Sequence, residues 1–192
     1  MNLELFGFKS FDELVGFHCA PVLADLKPAN LFALHHQDII EINLRLEKYN
    51  ELFGERGIVF RSLCSCRKRV LVLAFNRDAL TKLLQEKGRR AYLIAVGYAV
   101  ESTLEQDLQT LECRLLTEDK FPHEIGIFLG YPLEDVLGFV LNGGAGCKCS
   151  GYWKVYGDVE RARDTFAAYE KCRSYILKNL SKGLSLHQAV VV

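Results

Sequence analysis

Proline, methionine and tryptophan are scarce in this 192-residue chain, at 4, 1 and 1 residues, and net charge is absent: 24 Lys and Arg balance 24 Asp and Glu. That balance excludes a general field drawing the chain to nucleic acid or anionic lipid. The one dense basic run, Arg67-Lys68-Arg69, falls between two strand-like segments and reads as a solvated turn. No nucleic-acid partner is therefore expected. Long apolar runs are also missing; the longest, Tyr92 to Val100, is far too short for a bilayer, so no membrane partner is expected. The opening MNLELFGFKSFDEL lacks the basic start and unbroken apolar stretch of a secretion signal, since Glu4 and Asp12 interrupt it. Low-complexity stretches and linkers are absent too. The expectation is a single domain over residues 1–192, burying roughly 70% of its unfolded surface.

Cysteine is not scarce. Seven is an odd number in a chain too large to need disulfide staples, which points to reduced thiols and a cytoplasmic setting.

Helical punctuation is frequent. Ser10-Phe-Asp-Glu13 forms a capping box that opens a helix expected to end near Pro21. Asp38 has analogous spacing to Glu41, followed by an apolar series at Ile39, Ile42, Leu46, Tyr49 and Phe53 that Gly54 and Gly57 stop. Ser102 to Glu105 caps a third helix with Leu104, Leu108, Leu111 and Leu115 as its stripe. Asp158 caps the last long helix, and Gly183 lies past its end. Ile58–Cys64 and Arg69–Phe75 read as a hairpin, with Ala29–Leu34 as a weaker strand. Val70 to Phe75 is apolar on both faces, which argues a central strand. The strand Gly151–Tyr156 puts Tyr152, Lys154 and Tyr156 on one face, and Trp153, expected buried, with Val155 on the other. The fold class is α+β: a small mixed or antiparallel sheet of about four strands, packed with several helices.

One echo recurs, Gly97-Tyr-Ala-Val-Glu against Gly130-Tyr-Pro-Leu-Glu. It reads as one loop-to-helix device used twice, with Gly for the turn.

The segment from Phe121 to Asp158 concentrates the only Trp, two cysteines, His123-Glu124, Glu134-Asp135 and many glycines. FPHEIGIFLGYPLEDVLGF followed by CKCSGYWKVYGD resembles the signature block of an uncharacterised bacterial family, a domain of unknown function common in anaerobes. The earlier HCAPVLADLKPANLF is similar to that family's N-terminal block, and the Arg69–Phe75 strand sits between them. The resemblance runs over nearly the whole chain and implies a shared fold. It implies no activity, cofactor or catalytic residue.

Candidate chemistry is therefore read from the residues. A pocket is expected between the Gly130-Tyr-Pro helix start and the Tyr152–Tyr156 strand. There His123, Glu124, Tyr131 and Lys154 orient a polar or anionic small molecule, and Tyr152, Trp153 and Tyr156 are able to stack on a flat one, with Lys154 holding an anionic group. The enzyme alternative uses His123 or Glu124 as acid or base, or Cys19, beside His18 and near Lys27 and Asn30, as nucleophile. Glu134 and Asp135 follow Pro132 and read as first-turn carboxylates that favour the helix dipole. A third alternative is thiol chemistry. Cys64 with Cys66, and Cys147 with Cys149, are C-x-C pairs able to offer two thiolates to one metal, or to act in redox. Cys113 and Cys172 read as core. Asn142-Gly-Gly-Ala-Gly146 lacks the Gly-Lys-Ser/Thr ending of a phosphate loop and reads as a helix stop. The cofactor is unknown at this level, and a protein partner stays open.

Overall fold

The computed structural model describes residues 8–35, 39–66, 69–117 and 121–191, with residues 35, 64–66 and 191 described by backbone alone. The Asp38 cap and the Arg67-Lys68 pair lie outside the described residues. The fold is α+β, as its residue pattern implies. Among the described residues, no helix is long and apolar enough to cross a membrane. The chain divides into two compact units, residues 1–77 with 169–192 and residues 78–168.

The first unit is built on a three-stranded antiparallel sheet of order β1-β3-β2, with β1 Ala29–His35, β2 Ile58–Cys66 and β3 Arg69–Asn76. Ala29 pairs with Phe75 on one side of β3, and Ile58 with Asn76 on the other. β3 is central, which is why its residues are apolar on both faces. The register of β2 shifts between Ser62 and Cys64, leaving Leu63 as the bulged residue. Helix α1 (Phe11–Leu23) begins at Ser10, whose hydroxyl accepts the N–H of Glu13. Glu13 reaches back to the N–H of Lys9, not to that of Ser10 as the box would have it. The helix ends at Leu23, two residues past Pro21 and so near where it was expected to end. A proline this close to the end sacrifices one internal bond, and its own carbonyl is recovered by the N–H groups of Leu26 and Lys27. Helix α2 (Ile39–Phe53) buries Ile42, Leu46, Tyr49 and Phe53, the three-and-four series read from the sequence. Gly57 follows with φ 69°. Val15, Leu23, Phe32, Phe53 and Val72 sit in one core with Ile176 from the later helix.

The second unit holds α3 (Arg77–Leu84) from Asp78 onward, α4 (Lys87–Ala95), α5 (Leu104–Thr117), α6 (Ile125–Phe128), α7 (Leu133–Leu141) and a two-stranded hairpin, β4 (Cys149–Ser150) with β5 (Lys154–Val155). The expected Gly151–Tyr156 strand is thus a short piece of its own hairpin and not a fourth strand of the main sheet. Helix α8 (Val159–Ser181) opens on Asp158, whose carboxylate accepts the N–H of Arg161, as expected. Its residues up to Ala168 belong to this unit. Helix α9 (Leu186–Val191) completes the first unit.

The cap of α5 lies one residue beyond its expected place. Thr103 and Gln106 form the reciprocal box, while the Ser102 hydroxyl donates to Asp107 at 2.7 Å. Cys113 is exposed, not core. It stands about 200° around the helix from Leu111, whose face is buried.

The repeated Gly-Tyr pair closes α4 and α6 in the same way. Gly97 (φ 104°) and Gly130 (φ 75°) adopt the left-handed turn. The N–H of Tyr98 meets the carbonyl of Leu93 and that of Tyr131 meets Gly126, each six-to-one, with the inner bonds Gly97 to Ile94 and Gly130 to Ile127. Both are Schellman caps. Adjacent arginines of α4 then hold the two exits: Arg90 donates to the carbonyl of Ala99, and Arg89 to that of Tyr131.

Candidate functional site

The site begins with a run of close approaches. In α6, a Cβ at Gly126 would stand 2.9 Å from Val136, so only glycine lets α7 lie this near. At Gly138 a Cβ would stand 2.5 Å from the ring of Tyr156, which closes the hairpin onto α7. Gly126 and Gly138 are there for packing, whereas Gly130 serves its turn.

Asp135 fastens the same junction. It is buried, and its Oδ2 accepts the indole N–H of Trp153 at 2.7 Å. Its Oδ1 accepts the backbone N–H groups of Tyr156 at 2.7 Å and Gly157 at 2.8 Å. A buried carboxylate with three donors is satisfied. Trp153, 9% exposed, stacks on Tyr131 with centroids 5.0 Å apart and meets Phe166 edge-on at 4.5 Å. The hydroxyl of Tyr131 donates to the carbonyl of Tyr152 at 3.1 Å.

These contacts enclose a cavity of about 390 Å³. Its buried lining is Ile125, Gly126, Leu129, Asp135, Val136 and Trp153. Exposed residues ring the opening: Phe121, His123, Ser150 and Lys154. Phe139 carries two of them, His123 at 5.1 Å edge-on and the Lys154 ammonium at 5.8 Å from its centroid. Lys154 also donates to the carbonyl of Gly144 at 2.6 Å, tying the Gly-rich turn to the hairpin.

Of the residues expected here, His123, Tyr131 and Lys154 line the cavity. Glu124 does not. It is buried on the far side of its turn, where Arg114 meets its carboxylate at 2.5 Å and the hydroxyl of Tyr98 donates at 3.4 Å. Burial and the Glu124 charge push the Tyr98 hydroxyl pKa up. His123 and Glu124 therefore form no acid–base pair. Tyr152 turns its ring to Phe166 at 5.6 Å instead of to the cavity. Sequence reasoning missed the floor residues Ile125, Leu129 and Val136, the ring of Phe139, and Ser150. Glu134 reads only as a first-turn acid of α7, as expected.

The other expected clusters have different settings. His18, Cys19, Lys27 and Asn30 do come together in the first unit. The Lys27 ammonium donates to Asn30 Oδ1 at 2.5 Å, and Asn30 donates to the carbonyl of His18 at 2.8 Å. His18 stacks on Phe32 at 5.4 Å, and burial, then the charge of Arg173, lower its pKa. Burial takes the Lys27 amine down to about 8. Cys19 has no exposed surface, and burial pushes its thiol far up, against a smaller opposing pull from Lys27. A thiol held protonated and shielded is a poor nucleophile. Cys147 and Cys149 are half-buried free thiols. The side chains of Cys64 and Cys66 lie outside the described residues. Among the described residues, no group of three or more His, Cys, Asp or Glu side chains is placed to hold a metal ion.

Fold and cavity together define an α+β protein with an apolar, aromatic-walled hollow within the size range of ligand pockets. The chain belongs to the family described as protein of unknown function, DUF3793, whose model matches residues 15–190. No curated protein matches it, and no solved structure does.

Proposed function

We propose that this protein binds a small molecule in the cavity between α6, α7 and the β4–β5 hairpin. One observation carries the reading: a cavity of about 390 Å³ with a mostly apolar floor, its one buried carboxylate, Asp135, already bonded, and exposed polar side chains at its rim. Apolar walls with a few convergent polar groups are the usual make-up of a ligand site. The floor supplies burial, at roughly 25 cal/mol per Å² of apolar surface covered, and the rim sets orientation. The ligand has an apolar body and one polar end, a narrower class than the polar or anionic molecule expected from the residues alone. The odd cysteine count, with no disulfide among the described residues, supports a cytoplasmic setting.

Catalysis by His123 is the weaker reading. A general base is commonly oriented by a third group, and the imidazole of His123 has no hydrogen-bond partner among the described residues.

The test uses the full chain and a panel of small aromatic and aliphatic fragments. Melting temperature and the emission of Trp153, the only tryptophan, report occupancy. Fragments that raise the melting temperature and shift emission are expected to lose both effects in Ser150→Phe, which plugs the rim at an exposed position. Hits that survive the plug, or a panel without hits, sink the reading.

A further inference from the structure

We propose, resting on the pocket reading above, that the ligand is a planar aromatic monocarboxylate, its ring on the cavity floor and its carboxylate at the mouth between His123, Ser150 and Lys154. The argument starts from the division of the lining. Ile125, Leu129, Val136 and Trp153 are 7%, 7%, 4% and 9% exposed, whereas His123, Ser150 and Lys154 are all exposed. The polar groups thus sit where a bound molecule would emerge, not where it would be buried.

The three rim groups converge. Ser150 and Lys154 are direct cross-strand partners in the β4–β5 hairpin, so their side chains leave the same face. His123 and Lys154 both flank Phe139, at 5.1 and 5.8 Å. Each of the three is able to donate a hydrogen bond. Lys154 gives one N–H to the Gly144 carbonyl and has two more.

The lining also holds one carboxylate, Asp135, which would favour a cation if it faced the cavity freely. Both its oxygens are already engaged: Oδ1 by the N–H groups of Tyr156 and Gly157, Oδ2 by Trp153. What remains for a ligand is a mouth of donors, and that selects an acceptor, best an anion.

The ring is argued from the wall. Trp153 and Tyr131, stacked at 5.0 Å with 28° between their planes, both line the cavity, so part of its wall is aromatic. An aromatic ring set offset or edge-on against an aromatic wall gains more than its buried area alone supplies. A hollow of about 390 Å³ accommodates a body of about one or two fused rings. A compact inorganic anion would leave that floor unused.

The experiment is calorimetric titration of the full chain with 2-naphthoate, its neutral counterpart 2-naphthamide, and octanoate. 2-Naphthoate is expected to bind about tenfold tighter than the amide, the scale of one charge-assisted hydrogen bond. In Lys154→Met that ratio is expected to fall toward one while the amide affinity holds. Ser150→Ala, which removes a rim hydroxyl and no packing, is expected to lower the ratio in part, and a melting curve for each variant confirms its fold. Equal binding of acid and amide overturns the carboxylate and leaves the pocket standing. Octanoate binding as tightly as 2-naphthoate overturns the planar ring. If no compound binds the native protein, both this inference and the pocket reading fall.

Discussion

The carboxylate of Asp135 accepts the indole N–H of Trp153 across 2.7 Å, both groups buried. This bond ties the first turn of α7 to the hairpin that walls the cavity. Asp135→Ala would leave the indole N–H and the N–H groups of Tyr156 and Gly157 without their acceptor. The expected cost is about 2–4 kcal/mol, from the loss of a charge-assisted network inside the protein. Urea denaturation followed by Trp153 emission measures it, and a red-shifted native spectrum is expected alongside. A change within about 0.5 kcal/mol, the range of an ordinary surface substitution, contradicts the assigned role.

Glu124 and His123 are neighbours with separate duties, and substitution separates them. Glu124→Gln weakens the contact with Arg114, a guanidinium that also donates to the carbonyl of Val96 at 2.6 Å. It is expected to lower stability by about 2 kcal/mol, below the range for a fully buried pair because Arg114 is partly exposed. Cavity affinity should be unchanged. His123→Ala should do the reverse, leaving stability within about 0.5 kcal/mol, as an exposed site allows, and weakening rim-dependent binding. Denaturation and titration on both variants check the crossover.

Much of this was legible because it is local. The caps at Ser10 and Asp158, the Ile42–Phe53 face and the doubly apolar central strand depend on spacing within a few residues. The Gly-Tyr echo is one glycine turn used twice, as read, but it closes α4 and α6 where a helix start was expected. What escaped depends on long-range partners. Ser102 and Thr103 each begin an overlapping capping box, and the choice falls to Thr103 because Ser102 bonds Asp107. Asp135 carries a first-turn acid's signal, while its donors come from 18 to 22 residues later. The floor residues Ile125, Leu129 and Val136 look like any core positions until the turn between α6 and α7 leaves a hollow.

Lys27 gives a pH dependence with a definite sign. Its amine is lowered from 10.5 to about 8 by burial, partly opposed by Cys19 and reinforced by Arg173. Folding therefore disfavours the ammonium. The penalty is complete below pH 8, and it fades as pH rises from 8 toward 10.5, where the unfolded chain still holds a proton. The folded state should gain on the order of 3 kcal/mol from this group across the window. Measured to pH 9.5, before the tyrosines titrate, the stability of native protein relative to Lys27→Met should rise with pH. A flat difference contradicts a buried, depressed amine.

Gly138 tests the close approach. With the Tyr156 ring 2.5 Å from where a Cβ would be, Gly138→Ala must displace ring or helix. Helix propensity alone would favour alanine by roughly 1 kcal/mol. Overpacking is expected to win, with a net loss of about 1–2 kcal/mol. A stabilised Gly138→Ala in thermal or urea unfolding would show that the hairpin and α7 are not in contact as described.

Thiol reactivity closes the comparison between the candidate cysteines. Cys19 has no exposed surface and its thiol is pushed up by burial, whereas Cys113 is exposed on α5. Reactivity follows thiolate fraction and access. Under native conditions at pH 7.5, iodoacetamide should modify Cys113 before the half-buried Cys147 and Cys149, and Cys19 only once the first unit opens. Peptide mass spectrometry over a time course gives the order. Rapid native labelling of Cys19 would restore it as a candidate nucleophile. Labelling that instead tracks urea unfolding would leave Cys19 a core residue, with the amine of Lys27 beside it as the functional question in that cluster.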